Sequence, residues 1–242
     1  MRTVYLGTSQ FAAEVLSFLA ASPHRPLLVV TRPDRPRGRG RRLASPPVAD
    51  TARELGIELS QPESVNDAAA RQQITAAVPE VLCVCAFGAL IREPLLSEHE
   101  ILNVHPSRLP RWRGAAPIER AIMAGDAVTG VAIMRLTAGL DSGPVCLERE
   151  EPIAPRDTYG TLVARLAPVG GRLLIAALDR FPDGLRCHEQ DDSRATYADK
   201  ITGADRILAA HRPAAELERT VRALAPHIGA AVVVGGGERL GV

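Results

Sequence analysis

Residues 101–117 read ILNVHPSRLPRWRGAAP, and the fold can be worked out from this segment. The residues before His105 are mainly apolar and β-branched, as in a short buried strand. Pro106, Pro110 and Pro117 remove backbone donors and favour extended geometry in the residues that precede them. The sequence therefore predicts a strand that ends near His105 and is followed by a rigid loop.

Asn103 and His105 should point the same way at the carboxyl end of this strand, because side chains alternate between its two faces. In open α/β sheets, ligands bind at that edge. An Asn-x-His pattern alone is weak, since a buried histidine with a satisfied hydrogen bond is commoner than a catalytic one. The loop that follows combines polar, aromatic and basic residues with three prolines and a glycine, which is typical of a preorganised binding loop.

The remaining pattern predicts an α/β fold with a Rossmann-like, doubly wound, mostly parallel sheet in three αβα layers. The chain opens with a strand, a glycine turn and a helix, but it has only one glycine of the dinucleotide fingerprint, so we expect no nicotinamide cofactor. Strands are predicted at 3–6, 27–31, 57–60, 81–86, 101–104, 130–134 and 145–149. Helices are predicted at 11–20, 45–55 with Ser45 as its cap, 67–77, 116–124, 158–179 and 214–224, and a hairpin at 226–240.

Composition excludes several classes of function. The chain has 242 residues and a net charge of +1, so no global field indicates a nucleic-acid partner. Its four cysteines include no second metal-ligand pair, and we expect reduced thiols and no disulfide framework. The first strand follows Met1 and Arg2 directly, which argues against a signal peptide, and the longest uncharged apolar run, near 81–91, is too short to span a bilayer. We expect a cytoplasmic protein without membrane contact.

Residues 32–42 carry six arginines among prolines and glycines. Such a segment cannot bury apolar surface, so we expect a mobile, exposed loop. Composition alone leaves two interpretations equally open: a solvated basic loop without a role, or a phosphate-binding arm that orders on RNA.

Several motifs of this chain resemble those of the folate-dependent formyltransferases. They are NVHPSRLP at 103–110, WRGAAPI at 112–118, TRPDRPRGRG at 31–40, GLDSG at 139–143 and PHIGA at 226–230. The continuation at 112–118 is most similar to the branch of the family that acts on methionyl-tRNA. The resemblance covers nearly the whole chain.

The resemblance implies transfer of a formyl group from 10-formyltetrahydrofolate to the amino group of initiator methionyl-tRNA. Asn103 and His105 would stabilise the oxyanion, and Asp141 would orient His105 and relay the proton. An aspartate between glycines is usually a turn former, and the catalytic role of Asp141 rests on the resemblance. The reaction requires no metal.

The resemblance also implies which residues bind the co-substrate and the tRNA. The predicted folate-binding residues are Phe87, Gly88, Leu90, Ser107, Arg108, Leu109, Pro110 and Gly114. Gly88 could instead simply turn the chain, and Arg108 replaces the usual leucine, so its charged end should point outward. The predicted tRNA-binding residues are Arg35, Arg37, Arg39, Arg41 and Arg42, in an insertion that the sugar-nucleotide and ribonucleotide enzymes lack.

We expect a monomer with two parts. Residues 1–205 would form the catalytic domain, and residues 206–242 a linker helix and the truncated start of a barrel-like domain of OB type. The alternatives are a formyltransferase for a nucleotide sugar or another small amine, and a catalytically inactive RNA-binding module. A dehydrogenase is a more distant alternative because the glycine fingerprint is incomplete.

Overall fold

The computed structural model describes residues 1–37 and 42–242, apart from the side chains of residues 37, 42 and 236. The contacts between residues divide the chain into two units. The first unit comprises Met1–His105, Ala132–Glu148 and Ala167–Gln190, and the second Pro106–Val131, Arg149–Leu166 and Asp191–Val242. The predicted boundary at residue 205 stays a prediction.

The described residues form strands and helices that agree closely with the predicted ones. The strands are β1 (Thr3–Gly7), β2 (Leu28–Val30), β3 (Arg35–Arg37), β4 (Arg42–Ala44), β5 (Glu58–Ser60), β6 (Val81–Cys85), β7 (Ile101–His105), β8 (Arg113–Gly114), β9 (Val128–Arg135), β10 (Val145–Pro152), β11 (Tyr197–Ala198), β12 (Ala231–Val233) and β13 (Arg239–Gly241). The helices are α1 (Gln10–Ala20), α2 (Pro47–Glu54), α3 (Ala68–Ala76), α4 (Leu95–Glu98), α5 (Pro117–Ala124), α6 (Tyr159–Arg180) and α7 (Ala214–Leu224).

The main sheet has the strand order β10–β9–β7–β6–β1–β2–β5. The pairs from β7 to β5 are parallel, and β9 runs antiparallel to β7. The prediction of a mostly parallel α/β sheet is confirmed. Chain order reverses between β1 and β6, so the carboxyl ends of these strands and of β7 form the edge where doubly wound sheets bind ligands.

The central strands of the first unit are buried along their whole length. All five residues of β1, β6 and β7 are buried, which explains their nearly continuous apolar sequences. The buried residues of one core cluster are Val4, Leu6, Leu28, Val30, Val65, Ile74, Leu82, Val84, Phe87, Leu95 and Ile101. This packing fixes the strand ends that carry the polar residues of the site.

In the second unit, α5 packs against α7, and β8 pairs with β11. Arg219 in α7 donates from Nε to the carbonyl oxygen of Met123 at 3.1 Å, and Arg120 in α5 pairs with Asp205 at 2.8 Å. The antiparallel pair β12–β13 confirms the predicted hairpin. These contacts hold Asp205 and α7 to α5, the helix that follows residues 106–116, which we call the signature loop.

Two local predictions near the arginine segment were wrong. The segment 32–42 was predicted to be a mobile, exposed loop, but β3 and β4 pair as antiparallel strands, because backbone hydrogen bonds need no apolar side chains. Helix α2 is preceded by Pro46 as N-cap, with no side-chain cap. Ser45 instead donates to Asp34 at 3.2 Å and accepts from Arg53 at 2.9 Å.

The prediction of four reduced cysteines was also wrong. Cys146 and Cys187 form a disulfide with a Cα–Cα distance of 3.9 Å. They flank the antiparallel bridge between Val145 and His188, which places them opposite each other on neighbouring chain segments. This pairing across a sequence separation of 41 residues leaves no local signal in the sequence.

The other two cysteines, Cys83 and Cys85, are free and buried in β6. Burial raises the pKa of each thiol to about 12, so neither is a reactive thiolate near neutral pH. They behave as small apolar side chains, as predicted.

We predict that the denatured, unreduced protein reacts with two equivalents of a thiol reagent, and the reduced protein with four. The two reactive thiols in the first case are Cys83 and Cys85, and mass mapping of the labelled peptides would identify them. A Cys146→Ser/Cys187→Ser variant should give two equivalents under both conditions. If alkylation under denaturing conditions at lysis, without reductant, modified all four cysteines of the wild-type protein, the disulfide bond would be contradicted.

Among the described helices, α6 is long and apolar enough to cross a membrane by length and composition alone. Of its most apolar window, 56% is buried inside the protein, and a core helix passes the same test. This finding therefore gives weak evidence for a membrane span.

Asp157 precedes α6 and accepts several hydrogen bonds within the second unit. Its carboxylate accepts from Ala154 N at 2.7 Å, from Thr161 Oγ1 at 2.9 Å and from two nitrogens of Arg165 at 2.7 Å each. The bonds from Arg165 outweigh partial burial and lower the pKa of Asp157 to about 2. The charged carboxylate is therefore stabilised more in the folded than in the unfolded chain.

We predict that Asp157→Asn lowers the free energy of unfolding at pH 7 by about 1–3 kcal/mol. The contribution of Asp157 is complete above its ordinary pKa of 3.8 and is lost as pH falls towards about 2, so the variant should show a flatter stability curve in that range. Urea unfolding at several pH values measures both effects. Asp199→Asn, at an exposed position, is the control, and an unchanged pH dependence in Asp157→Asn would contradict the assignment.

Candidate active site

Three predicted catalytic residues meet in the first unit. Asn103 and His105 are 7% and 4% exposed, and both lie in the last three residues of β7. Asn103 Nδ2 donates to Asp141 Oδ1 at 3.4 Å, and His105 Nδ1 lies 3.7 Å from Asp141 Oδ2. Each carboxylate oxygen thus faces one of the two β7 side chains. The shared strand face predicted for Asn103 and His105 agrees with this arrangement.

Asp141 is held in a tight loop between β9 and β10. Its φ is 45°, in the left-handed region that side chains other than glycine rarely adopt. A Cβ on Gly143 would lie 2.0 Å from the carbonyl oxygen of Arg135, and one on Gly139 would lie 2.2 Å from Ser142 Oγ. The backbone contact at Gly143 therefore excludes a larger residue, and this close approach allows the loop to place Asp141 beside β7, whereas at Gly139 only the Ser142 hydroxyl would have to rotate.

The loop after β6 is held by side chains from three other segments of the first unit. Thr8 Oγ1 donates to the carbonyl oxygen of Phe87 at 2.7 Å, Arg32 Nη1 to that of Gly88 at 2.6 Å, and Asn66 Nδ2 to that of Leu90 at 2.9 Å. Because a trans peptide directs its carbonyl and N–H in opposite directions, the next N–H in each case points away from these donors.

Within this loop, Gly88 has a φ of 72°, and a Cβ there would meet nothing within 4 Å. Phe87 belongs to the buried core cluster, whereas Leu90 is 67% exposed. The glycine is thus required by backbone conformation, with open space beside it.

Comparison with known proteins identifies the family. A family model described as formyl transferase matches residues 1–178. The methionyl-tRNA formyltransferase of Pseudomonas syringae pv. syringae (strain B728a) is 44% identical over 229 residues, which is 93% of this chain and 73% of that protein. The chain belongs to the methionyl-tRNA formyltransferase family. The prediction made from the motifs is confirmed.

Solved structures agree with the formyltransferase fold. A 4-N formyltransferase from Francisella tularensis has a TM-score of 0.77 at 14% identity and covers 100% of this chain and 96% of its own. HypX from Aquifex aeolicus in complex with tetrahydrofolic acid has a TM-score of 0.70 at 18% identity, over 99% of this chain and 36% of its own. At these identities the likeness shows the fold alone.

The signature loop of this formyltransferase chain lies in the second unit and is tied down by Asp126. Arg111 donates from Nε and Nη2 to Asp126 at 2.8 and 2.7 Å, and Trp112 Nε1 donates to the same carboxylate at 2.8 Å. The guanidinium of Arg111 lies 4.4 Å from the ring centre of Trp112, and its hydrogen bond to Asp126 raises the pKa of Arg111. The prediction of a rigid loop agrees with these contacts.

The predicted folate residues of this loop have different environments. Ser107 is fully buried and donates to the carbonyl oxygen of Arg111 at 2.6 Å, and Leu109 is 8% exposed and precedes Pro110 through a cis peptide. Arg108 points outward as predicted, with 44% of its side chain exposed beside Glu150. Gly114 has a φ of 116°, and a Cβ there would lie 2.9 Å from the carbonyl oxygen of Ala198.

The predicted tRNA-binding arginines are only partly described. Arg35 is exposed and pairs with Glu63. Arg37 and Arg42 pair through their backbones in the hairpin, and Arg39 and Arg41 lie outside the described residues. Among the described residues, no group of three or more His, Cys, Asp or Glu side chains could hold a metal ion.

Four of the residues that sequence reasoning missed donate to backbone carbonyls. Thr8, Arg32 and Asn66 hold the loop after β6, and Gln190 Nε2 donates to the carbonyl oxygens of Asp141 and Gly143. A single polar side chain in a loop has no pattern that reveals such a partner. Only the fold brings these residues together.

We predict that Gly143→Ala lowers the free energy of unfolding by about 1–3 kcal/mol, because the new Cβ would overlap the carbonyl oxygen of Arg135. Formyl transfer should also fall, since the loop carries Asp141. Gly203→Ala is the matched control, because a Cβ there meets nothing within 4 Å. Urea unfolding of both variants is the measurement, and equal stability of the two would rule out the close approach.

Proposed function

We propose that this chain transfers a formyl group from 10-formyltetrahydrofolate to the amino group of initiator methionyl-tRNA. The observation that carries the proposal is the meeting of Asn103, His105 and Asp141 at the carboxyl end of β7. The methionyl-tRNA formyltransferase relative at 44% identity supports the choice of substrate.

The difficult step is attack of the amine on the formyl carbon, which places negative charge on the formyl oxygen. A free α-amino group has a pKa of about 7.7–8.0, so a useful fraction is neutral and nucleophilic near pH 7. The second N–H of the Asn103 amide would donate to the oxyanion, and protonated His105 would donate through Nε2. One such donor contributes ~2.7–4 kcal/mol in the transition state.

Asp141 would serve both donors at once. Its Oδ1 faces the amide of Asn103 and its Oδ2 faces Nδ1 of His105, so one carboxylate orients the amide and the ring. The proton released by the attacking amine would pass to Asp141 directly or through one water, and from there to the leaving nitrogen of the folate.

Within each unit, the predicted folate-binding residues have features that suit that role. In the first unit, the N–H groups after Phe87, Gly88 and Leu90 would donate to the acceptor atoms of a pterin ring, and the open space beside Gly88 would allow close approach. In the second unit, Leu109, Pro110 and Gly114 would contribute apolar surface and backbone, and Ser107 would act by holding the loop. The outward position of Arg108 leaves its aliphatic part as its contribution.

The tRNA would be held by the arginine segment. We assign Arg35, Arg37, Arg39, Arg41 and Arg42 to phosphate contacts, which position a substrate without reading its sequence. We further infer a monomeric, metal-independent enzyme in the cytoplasm. The Cys146–Cys187 disulfide is uncommon in that compartment, so the thiol measurement on protein alkylated at lysis tests this placement too.

The test is formylation of charged initiator tRNA with 10-formyltetrahydrofolate. Wild-type protein should form formyl-methionyl-tRNA. Asp141→Asn should lower kcat by about 10²–10³-fold, because both donors lose their orienting charge while the folate KM changes little. Asp183→Asn, at an exposed position, is the matched control.

A triple Arg39/Arg41/Arg42→Ala variant separates the two formyltransferase interpretations. It should raise the KM for tRNA several-fold and reduce the salt dependence of that KM, with the folate KM unchanged. Formylation of an amino sugar nucleotide in place of tRNA would favour the small-amine alternative. Binding of tRNA without turnover in wild-type protein would favour the inactive RNA-binding module.

A further inference from the structure

Gln190 is the last residue of the first unit and reaches the loop that carries Asp141. We propose that Gln190 is a positioning residue for Asp141 in formyl transfer. The inference rests on the proposed function, because it assigns Gln190 to the same catalytic carboxylate. Gln190 acts through the backbone of the loop and needs no contact with either substrate.

The amide nitrogen of Gln190 donates to two carbonyl groups of the loop that carries Asp141. Nε2 donates to the carbonyl oxygen of Asp141 at 2.9 Å and to that of Gly143 at 2.7 Å. A primary amide nitrogen has two hydrogens, and these two bonds use both. One side chain therefore fixes two carbonyl groups of the loop, one of them in Asp141 itself.

Asp141 depends on such a restraint. Its φ of 45° is unfavourable for a residue with a side chain, so the loop would relax without contacts that hold it there. Its distances of 3.4 Å to Asn103 and 3.7 Å to His105 are already at the long end for direct polar contact. A shift of a few tenths of an ångström would therefore weaken both interactions.

Gln190 is itself held in register with the strand that leaves the loop. Val145 and His188 exchange two backbone hydrogen bonds of 2.9 Å each, and Cys146 and Cys187 are joined beside them by the disulfide. Gln190 follows two residues after this bridge. The loop and the segment of Gln190 are thus fixed to the start of β10, so the amide of Gln190 has a defined position relative to Asp141.

The experiment is a double-mutant cycle between Gln190→Leu and Asp141→Asn in the formylation assay. In the wild-type background, Gln190→Leu should lower kcat about tenfold, which corresponds to ~1.4 kcal/mol, with both KM values within about twofold of wild type. In the Asp141→Asn background the same change should alter kcat by less than about twofold, because there is no catalytic carboxylate left to position. Gln190→Glu keeps the shape and removes the amide donors, and it should behave like Gln190→Leu.

Gln73→Leu makes the same chemical change at an exposed position of α3 and should leave kcat unchanged. A kcat for Gln190→Leu and Gln190→Glu within about twofold of wild type would overturn the inference. An equal loss of kcat in the wild-type and Asp141→Asn backgrounds would also overturn it, since that is the result of a general structural role.

A second measurement keeps the inference separate from the proposed substrate. Amide hydrogen exchange of Ser142 and Gly143 in the unliganded protein should be about tenfold faster in Gln190→Leu, with an unchanged melting temperature. If wild-type protein fails to formylate tRNA, the proposed function fails, and this exchange rate still decides whether Gln190 holds the Asp141 loop. Unchanged exchange would overturn the inference whatever the substrate.

Discussion

The site depends on one carboxylate that faces two side chains. Asp141 presents Oδ1 to Asn103 and Oδ2 to His105, so a single group orients an amide donor and an imidazole. Since the position of the carboxylate follows from the Asp141 backbone at a φ of 45°, the loop conformation determines how Asp141 faces both side chains. The approach of the carboxylate to both side chains therefore depends on support for the Asp141 backbone.

The sheet fixes the loops of the site because these loops begin where the buried strands end. Thr8 follows β1, Ala86 follows β6 with a φ of 42°, and His105 closes β7. Ala86 and Asp141 both occupy the left-handed region, and each lies in a loop next to a fully buried strand or close-packed glycine. Strained backbone persists only where the surroundings fix it, so its presence in both loops agrees with a site on the same edge.

Local sequence pattern was sufficient for most elements and for part of the site. Strand periodicity placed Asn103 and His105 on one face, and the structure brings both to Asp141. Asp141 itself was identified only through resemblance, because an aspartate between glycines has the composition of an ordinary turn. Gln190 and the Cys146–Cys187 pair could not be predicted, since their partners lie 41 or more residues away and depend on the completed sheet.

Hydrogen bonds from side chains to backbone carbonyl oxygens order both loops of the first unit that flank the site. In the loop after β6, the side chains of Thr8, Arg32 and Asn66 donate to backbone carbonyl oxygens. In the Asp141 loop, Gln190 donates to two more. A loop has no neighbouring strand to satisfy its backbone, so each side-chain donor replaces a missing ladder bond. Because the planar peptide links each carbonyl to the N–H that follows it, these donors also direct the N–H groups of Gly88, Ala89, Ile91 and Ser142. Polar residues far from the reacting atoms can in this way set the geometry of the site without touching a substrate.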